Sequence, residues 1–549
     1  MFINYLLKES ENDFYHLTRE WQMFHPSLIR VPFFDTEDPN FVYAVTYSEA
    51  EQKYYLIKVL ISSGEIVWST EVVNGGYGTP AILKNTVIML KGFSDIVGLD
   101  KTNGAKLWEI KTEKRIRTSI SVFDNMAYWA SGDSIYVIDE FGNIINKIRI
   151  ENSFIYGHIY KTNNTLLALG TKYKSFKEDS YQYLWIVDIN NNNLIESIET
   201  AKSNVISSDT SGFFVDNEFV YVPCQEQLFK INYKTKEVVW SNKVGGYAGR
   251  HLPIVYKGNI YYTTINGLVG KMNVDGDKIW EIKTKEESIM SPPTIVGKTL
   301  FVIADGYIYS IDLKNGNIFE RNAIGHSPYS ACVIKDKKLF IGAGEPPING
   351  QLICFNLTEE IDFNTEVLIN SYLTNNKIED EIVSVTINFN KKINNAHLDT
   401  SVISDDMTLK GVINNDSSYS FRIKLKSNLI PGYYALPIRF EYKGIEYNES
   451  LVIAIETNIK LPNKRKLYDY EKLITEDHVL YSGNAITELI FTKIGKDVNQ
   501  KELRKIIEYI KEKSNLEDAD FQTWRLVLKR ALSSPANTLE EFIKNEEKE

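Results

Sequence analysis

At 549 residues the chain exceeds one ordinary domain, and about 100–200 residues per domain predicts three or four units. Hydrophobic residues make up 43% and charged residues 24%, which excludes a disordered chain, a collagen-like fibre and a coiled coil. The net charge of −10 argues against a nucleic-acid partner, whose phosphates call for a basic surface. The 33 Tyr and 26 Phe lean the composition toward strands.

The N-terminus, Met1 to Ser10, has no basic start and no apolar core of secretory length. Nowhere do 18 apolar residues run together, so no membrane-spanning helix and no membrane partner are expected. The expectation is a cytoplasmic protein, although a chain already cleaved of a signal would read the same way. Cys224, Cys332 and Cys354 are widely spaced in apolar runs and read as small core hydrophobes.

From about residue 15 to 357 one pattern recurs: an apolar strand, Asp or Asn, a short polar turn often closed by Gly, then a strand often carrying Trp. It reads Leu99-Asp100-Lys101-Thr102-Asn103-Gly104-Ala105-Lys106-Leu107-Trp108 and returns, degenerate at its end, as Ile311-Asp312 to Ile318-Phe319-Glu320. Other copies end at Trp68, Trp240 and Trp280, and weaker ones start at Asp139 and Asp188. Trp68 and Trp108 stand 40 residues apart, as do Trp240 and Trp280. Asp or Asn opening a turn and Gly supplying positive φ make each copy a hairpin. Two further strand signals separate the copies, and four short strands per period describe a propeller blade.

The strands before these turns lie near Tyr55, Ile96, Tyr136, Trp185, Phe229, Val269, Ile308 and Ile353. That predicts eight blades, with seven as the alternative. The last has no following Trp strand, but the N-terminus offers one around Trp21, so both chain ends are expected to close the ring.

The strand–Asp-x-x-x-Gly-x-x-x-Trp copy at Asp100, Gly104 and Trp108 resembles the quinoprotein-type, PQQ-like β-propeller repeat. The resemblance implies that Trp21, Trp68, Trp108, Trp240 and Trp280 pack between neighbouring blades. Enzymes of that family hold PQQ and calcium in the central funnel. Here an adjacent cysteine pair and long insertions are missing, so no cofactor, no metal and no catalytic residue are expected. Other members use the propeller purely as a binding platform, for example in outer-membrane assembly.

The loops leading into each blade are the candidate binding site. Asn74-Gly75-Gly76-Tyr77-Gly78 and Gly245-Gly246-Tyr247-Ala248-Gly249-Arg250-His251 are similar, and Arg117, His326 and Tyr329 hold related positions. Arg117, Arg250, His251 and His326 are candidates to meet an anionic group, with Tyr77, Tyr247 and Tyr329 as rigid contact area. The bland alternative is that the glycines simply let the chain turn sharply.

Past residue 357 the pattern changes. Glu359 to Asp362 reads as a linker, and residues 363–457 alternate apolar and polar as an immunoglobulin-like β-sandwich. A polar stretch at 458–478 leads to residues 479–549, whose apolar period is helical. Thr538-Leu539-Glu540-Glu541 resembles a capped start for the last, short helix. Trp524 is the candidate anchor for docking or oligomerisation through this bundle.

The expected function is a non-catalytic scaffold or sensor. Its propeller face would recognise a protein or peptide and its helical tail would couple to another component in bacterial signalling, assembly or defence. The alternative is a small-ligand binder or a quinone-dependent oxidoreductase using the central channel.

Overall fold

The structure, a computed structural model, describes most of residues 6–455, together with Lys505, Tyr509 and Leu539–Glu546. The stretches outside the description before residue 456 are 8–13, 26–27, 49–52, 73–78, 92–93, 173–179, 190–193, 204–211, 249–250, 285–288, 325–329, 344–349, 361–370, 380–381, 390–392, 406–407, 416–417, 427–431, 443–444 and a few single positions.

Eight antiparallel sheets follow one another along the chain as eight blades. In blade 2 the strands are Ala81–Leu83, Thr86–Lys91, Asp95–Asp100 and Lys106–Lys111, hydrogen-bonded in sequence order. The short first strands of neighbouring blades approach one another, which makes them the inner strands around the axis. The fourth strands are exposed along the rim. Blade 8 is Val333–Lys335, Lys338–Ala343 and Gly350–Glu360, completed by Phe14–His25 from the other end of the chain. The expected closure by the strand around Trp21 is therefore what forms. The last blade strand runs on to Glu360, where Glu359 and Glu360 pair with Tyr15 and Phe14 rather than opening a linker.

The turns form as their residues dictate. Asp100 Oδ1 accepts the Thr102 N–H at 2.6 Å, Asp312 Oδ1 that of Lys314 at 2.8 Å, and Asp139 Oδ1 those of Phe141 and Asn143 at 2.9 Å each. Asn232 and Asn273 do the same in blades 5 and 6. Gly104 and Gly142 then take φ of 75° and 82°.

Each turn glycine also receives a tryptophan from the blade before it. A methyl group on Gly104 would sit 2.9 Å from the Trp68 ring, and one on Gly142 2.6 Å from Trp108. Gly64, Gly276 and Gly316 face Trp21, Trp240 and Trp280 in the same way. The indole N–H then donates to a carbonyl of that next blade: Trp21 to Ile61 at 2.7 Å, Trp108 to Glu140 at 3.0 Å, Trp240 to Val274 at 3.1 Å and Trp280 to Leu313 at 3.3 Å. Opposite Trp240 and Trp280, Lys230 and Lys271 extend to the same two carbonyls, both at 2.9 Å.

A β-bulge directs each of these tryptophans. The ladder skips Val67, Leu107, Val239 and Ile279 just before Trp68, Trp108, Trp240 and Trp280, and Ile145 just before Asn146 of blade 3. All five are about half exposed, and they form a broken apolar girdle round the rim. The equivalent Phe319 of blade 7 is buried instead, edge-on to Phe14 at 5.6 Å and His16 at 5.5 Å.

The core lies between blades. Leu83, Ile88, Leu90 and Ile96 of blade 2 pack with Ile116, Ala127, Trp129 and Tyr136 of blade 3. Charge reinforces the closure of the ring: buried Asp35 pairs with Lys101 of blade 2 at 2.6 Å, and its carbonyl accepts Lys335 Nζ of blade 8 at 2.7 Å.

Residues 371–455 form two four-stranded sheets. One is Ser371–Glu379, Ile382–Phe389, Ser418–Lys424 and Val412–Asn415, and the other Thr408–Lys410, Asn394–Asp399, Gly432–Tyr442 and Ile445–Ile455. They share one core that includes Val385, Ile387 and Phe421 from the first sheet and Leu398, Leu436 and Phe440 from the second. A helix covers Leu539–Glu546, where the capped start places it. The remainder of the expected helical bundle, including Trp524, lies outside the described residues. Among those described, no helix is long and apolar enough to cross a membrane.

Candidate functional site

The repeat assigns each candidate a fixed place in the loop that enters its blade. Tyr77, Arg117, Arg250 and Tyr329 stand four residues before the inner strands Ala81–Leu83, Ser121–Phe123, Ile254–Tyr256 and Val333–Lys335. They are thus equivalent positions on blades 2, 3, 6 and 8. Tyr247 and His326 stand seven residues before their strands, and His251 three.

The position of His251 has a defined task. Its equivalents are Thr118, Ser291 and Ser330, and each holds the loop onto the second strand of its own blade. Thr118 Oγ1 accepts the Ala130 N–H at 2.8 Å, Ser291 Oγ that of Ile303 at 3.0 Å, and Ser330 Oγ that of Gly342 at 3.1 Å. In blade 6 the partner is a side chain: His251 Nδ1 lies 2.9 Å from Thr263 Oγ1. The Thr263 hydroxyl donates to the Ser291 carbonyl at 2.9 Å, so His251 carries its proton on Nδ1 and donates to Thr263. His251 is buried. It fastens blade 6 to the loop of blade 7.

Arg117 is also buried, and its carbonyl accepts the Gly157 N–H of blade 4 at 3.2 Å. Tyr247 is half-buried, and its carbonyl accepts the Ile265 N–H at 2.9 Å. Burial first, then Cys224, and in a smaller measure Tyr247, raise the pKa of Tyr156 in blade 4. Tyr77, Arg250, His326 and Tyr329 lie outside the described residues.

Sequence reasoning missed the interior of blades 4 and 5. The Gln182 amide donates to the Pro223 carbonyl at 3.5 Å, and Thr200 Oγ1 donates to the Gln182 carbonyl at 3.1 Å. Cys224 borders this network, and burial pushes its thiol up to about 12, so it is not a nucleophile at neutral pH. Nearby His158 stacks on Phe213 with ring centroids 4.3 Å apart. Burial lowers its pKa to about 3. An alternating strand pattern carries no signal for these polar groups, because they occupy positions that otherwise hold core residues. Among the described residues no cluster of three or more His, Cys, Asp or Glu is arranged to hold a metal ion.

Blades 1 and 7 each have a fifth strand: in blade 1 Leu28–Ile29 and Phe33–Phe34 both pair with Phe41–Ser48, and in blade 7 it is added beyond the inner strand. Leu6–Leu7 pairs in parallel with the inner strand Thr294–Val296, Leu6 opposite Ile295 and Leu7 opposite Val296.

Among solved structures the chain is similar to BamB from Moraxella catarrhalis, at 16% identity and a TM-score of 0.41, covering 62% of this chain and 100% of that one. It is similar to the computationally designed Ika8 protein at 13% identity and a TM-score of 0.46, covering 61% and 97%. It is similar too to the quinohemoprotein alcohol dehydrogenase from Comamonas testosteroni at 10% identity and a TM-score of 0.49, covering 65% and 79%. No curated protein sequence matches it. A family model described as outer membrane protein assembly factor BamB matches residues 39–151 and 174–395, more than half of the chain. With its eight blades and their Trp–Gly contacts, the chain belongs to this family of PQQ-like β-propellers.

Proposed function

We propose that the chain is a non-catalytic interaction scaffold whose propeller recognises a protein or peptide on the face carrying the blade-entry loops. The observation that carries this reading is the family match over the blades, to a model described as an assembly factor. Tyr77, Arg250 and Tyr329 hold the same sequence offset before the inner strands of three blades as buried Arg117 does in blade 3, so Arg250 is the candidate for an anionic partner group, with Tyr77 and Tyr329 as contact area. Tyr247 and His326 share a second offset, seven residues before their strands. The two-sheet unit is an immunoglobulin-like spacer, and residues 479–549, with Trp524 as anchor, couple or oligomerise. The placement of the assembly is cytoplasmic, without nucleic acid.

Capture of the tagged full chain from its native host tests the reading. A partner held by the unchanged chain should be lost with Arg250→Ala and kept with His251→Ser, because serine does the fastening in blades 7 and 8. Removing residues 458–549 should release a second component and keep the propeller partner. A partner held equally by the Arg250→Ala chain would sink the loop site.

A further inference from the structure

We propose that the inner edge of blade 7 is a binding site for an extended aliphatic peptide, added as a parallel strand, and that the chain's own Leu6–Leu7 occupies it as an internal competitor. The inference rests on the reading of the propeller as a peptide platform and names where and how the peptide is held.

Three observations carry it. The pairing is explicit, Leu6 with Ile295 and Leu7 with Val296, on the side of Thr294–Val296 away from the rest of its blade. An inner strand has one neighbour within its blade, so its other edge keeps backbone donors and acceptors for a further strand. Among the described residues, this is the inner strand that gains a further strand at that edge, whereas the inner strand of blade 4 gains an isolated parallel bridge there, Thr118 with Gly157. Burial accords with a covered edge: Thr294, Ile295 and Val296 are each 0% exposed, as the buried inner strand of blade 6 nearly is, whereas the inner strands of blades 2, 3 and 5 keep partly exposed residues. The pairing is also short. Two residues make few ladder bonds, whereas Phe14–His25 is anchored along its full length to Gly350–Glu360. The segment is thus tethered close to the edge while holding it through a small contact, which suits exchange with a competing strand. Tethering gives it an effective concentration on the order of millimolar, so it masks the edge from weak peptides and yields to better ones.

The required ligand chemistry follows from the occupant. It is an extended segment with two adjacent branched aliphatic residues, running in the same direction as Thr294–Val296. Its main chain supplies the bonds, as Leu6–Leu7 does along Ile295 and Val296.

The test uses the full chain and a fluorescein-labelled peptide of residues 1–13. The double variant Leu6→Asp with Leu7→Asp frees the edge. Fluorescence anisotropy should show the peptide binding this variant at least about tenfold more tightly than the unchanged chain. A peptide carrying the same two aspartates should not bind. Hydrogen exchange at the Ile295 and Val296 amides should quicken in the variant and slow again with peptide, while blades 2 to 6 stay as they were. If exchange rises throughout the ring, Leu6→Ser with Leu7→Ser takes the variant's place. Absence of peptide binding to the freed chain, or equal binding to the unchanged one, overturns the proposal. Such a failure leaves a loop-bound partner untouched, and failure to capture a partner leaves the peptide result standing.

Discussion

Trp108 does two things at once. Its ring covers Gly142 of the next blade, and its N–H reaches the Glu140 carbonyl at 3.0 Å. Trp108→Ala should cost about 3 kcal/mol, from lost packing, the cavity and the bare carbonyl, read as a lower denaturant midpoint. The requirement runs both ways. Tryptophan occupies this outer-strand position in blades 1, 2, 5, 6 and 8, and each following turn has its glycine. The turn of blade 5 instead places Lys236 at a φ of 65°, and blade 4 before it has no such tryptophan. This pairing was legible in the sequence because the period keeps donor and receiver at fixed places.

His158 shows the opposite case, a residue whose surroundings no period announces. Its ordinary pKa of 6.5 is lowered to about 3 by burial. As pH falls below 6.5 the unfolded chain takes up a proton that the folded chain refuses. Stability is therefore lost between 6.5 and about 3, and not above. His158→Phe should keep the stack on Phe213 and remove this acid sensitivity. The difference from the unchanged chain should be on the order of 3 kcal/mol at pH 4 and vanish at pH 8, by urea titration at both values.

At the scale of the strand, the bulge is the informative feature. One extra residue in the outer strand turns tryptophan inward and its predecessor outward. Leu107→Ser should change stability by no more than about 0.5 kcal/mol, since Leu107 is about half exposed. Phe319→Ser, at the same place in blade 7, should cost about 2 kcal/mol, because Phe14 and His16 bury that ring. Parallel thermal denaturation of the two variants checks the contrast. Blade 7 also explains why its repeat is degenerate. Blade 8 has no hairpin between its third and fourth strands, since these come from opposite ends of the chain, so no turn glycine waits for a tryptophan. Glu320 stands there and accepts the Leu17 N–H at 3.2 Å and the Ser310 hydroxyl at 2.8 Å. What looked like decay of the motif is the join of the ring.

The ring as a whole depends on that join. Deleting residues 1–25 removes the outer strand of blade 8 and leaves Gly350–Glu360 as a long open edge. The shortened chain should self-associate, with a larger species on size-exclusion chromatography and earlier thermal unfolding. A chain of the unchanged size after this deletion would show that the edge is otherwise covered.

Composition, period and turn chemistry by themselves marked the repeat, eight blades with seven as the alternative, and the strand that closes the ring, while the family resemblance supplied the place of the tryptophans between blades. Those are short-range matters, set by alternation, by Asx turns and by positions that must be glycine. The tertiary structure alone decided which loop residues are equivalent across blades. It separated His251, a fastener bonded to Thr263, from Arg117 beside it in the earlier grouping. It also brought Leu6–Leu7 to Thr294–Val296 across almost 290 residues of chain. Pairing at that distance rests on backbone groups, which every residue carries alike, so no residue type marks it in advance.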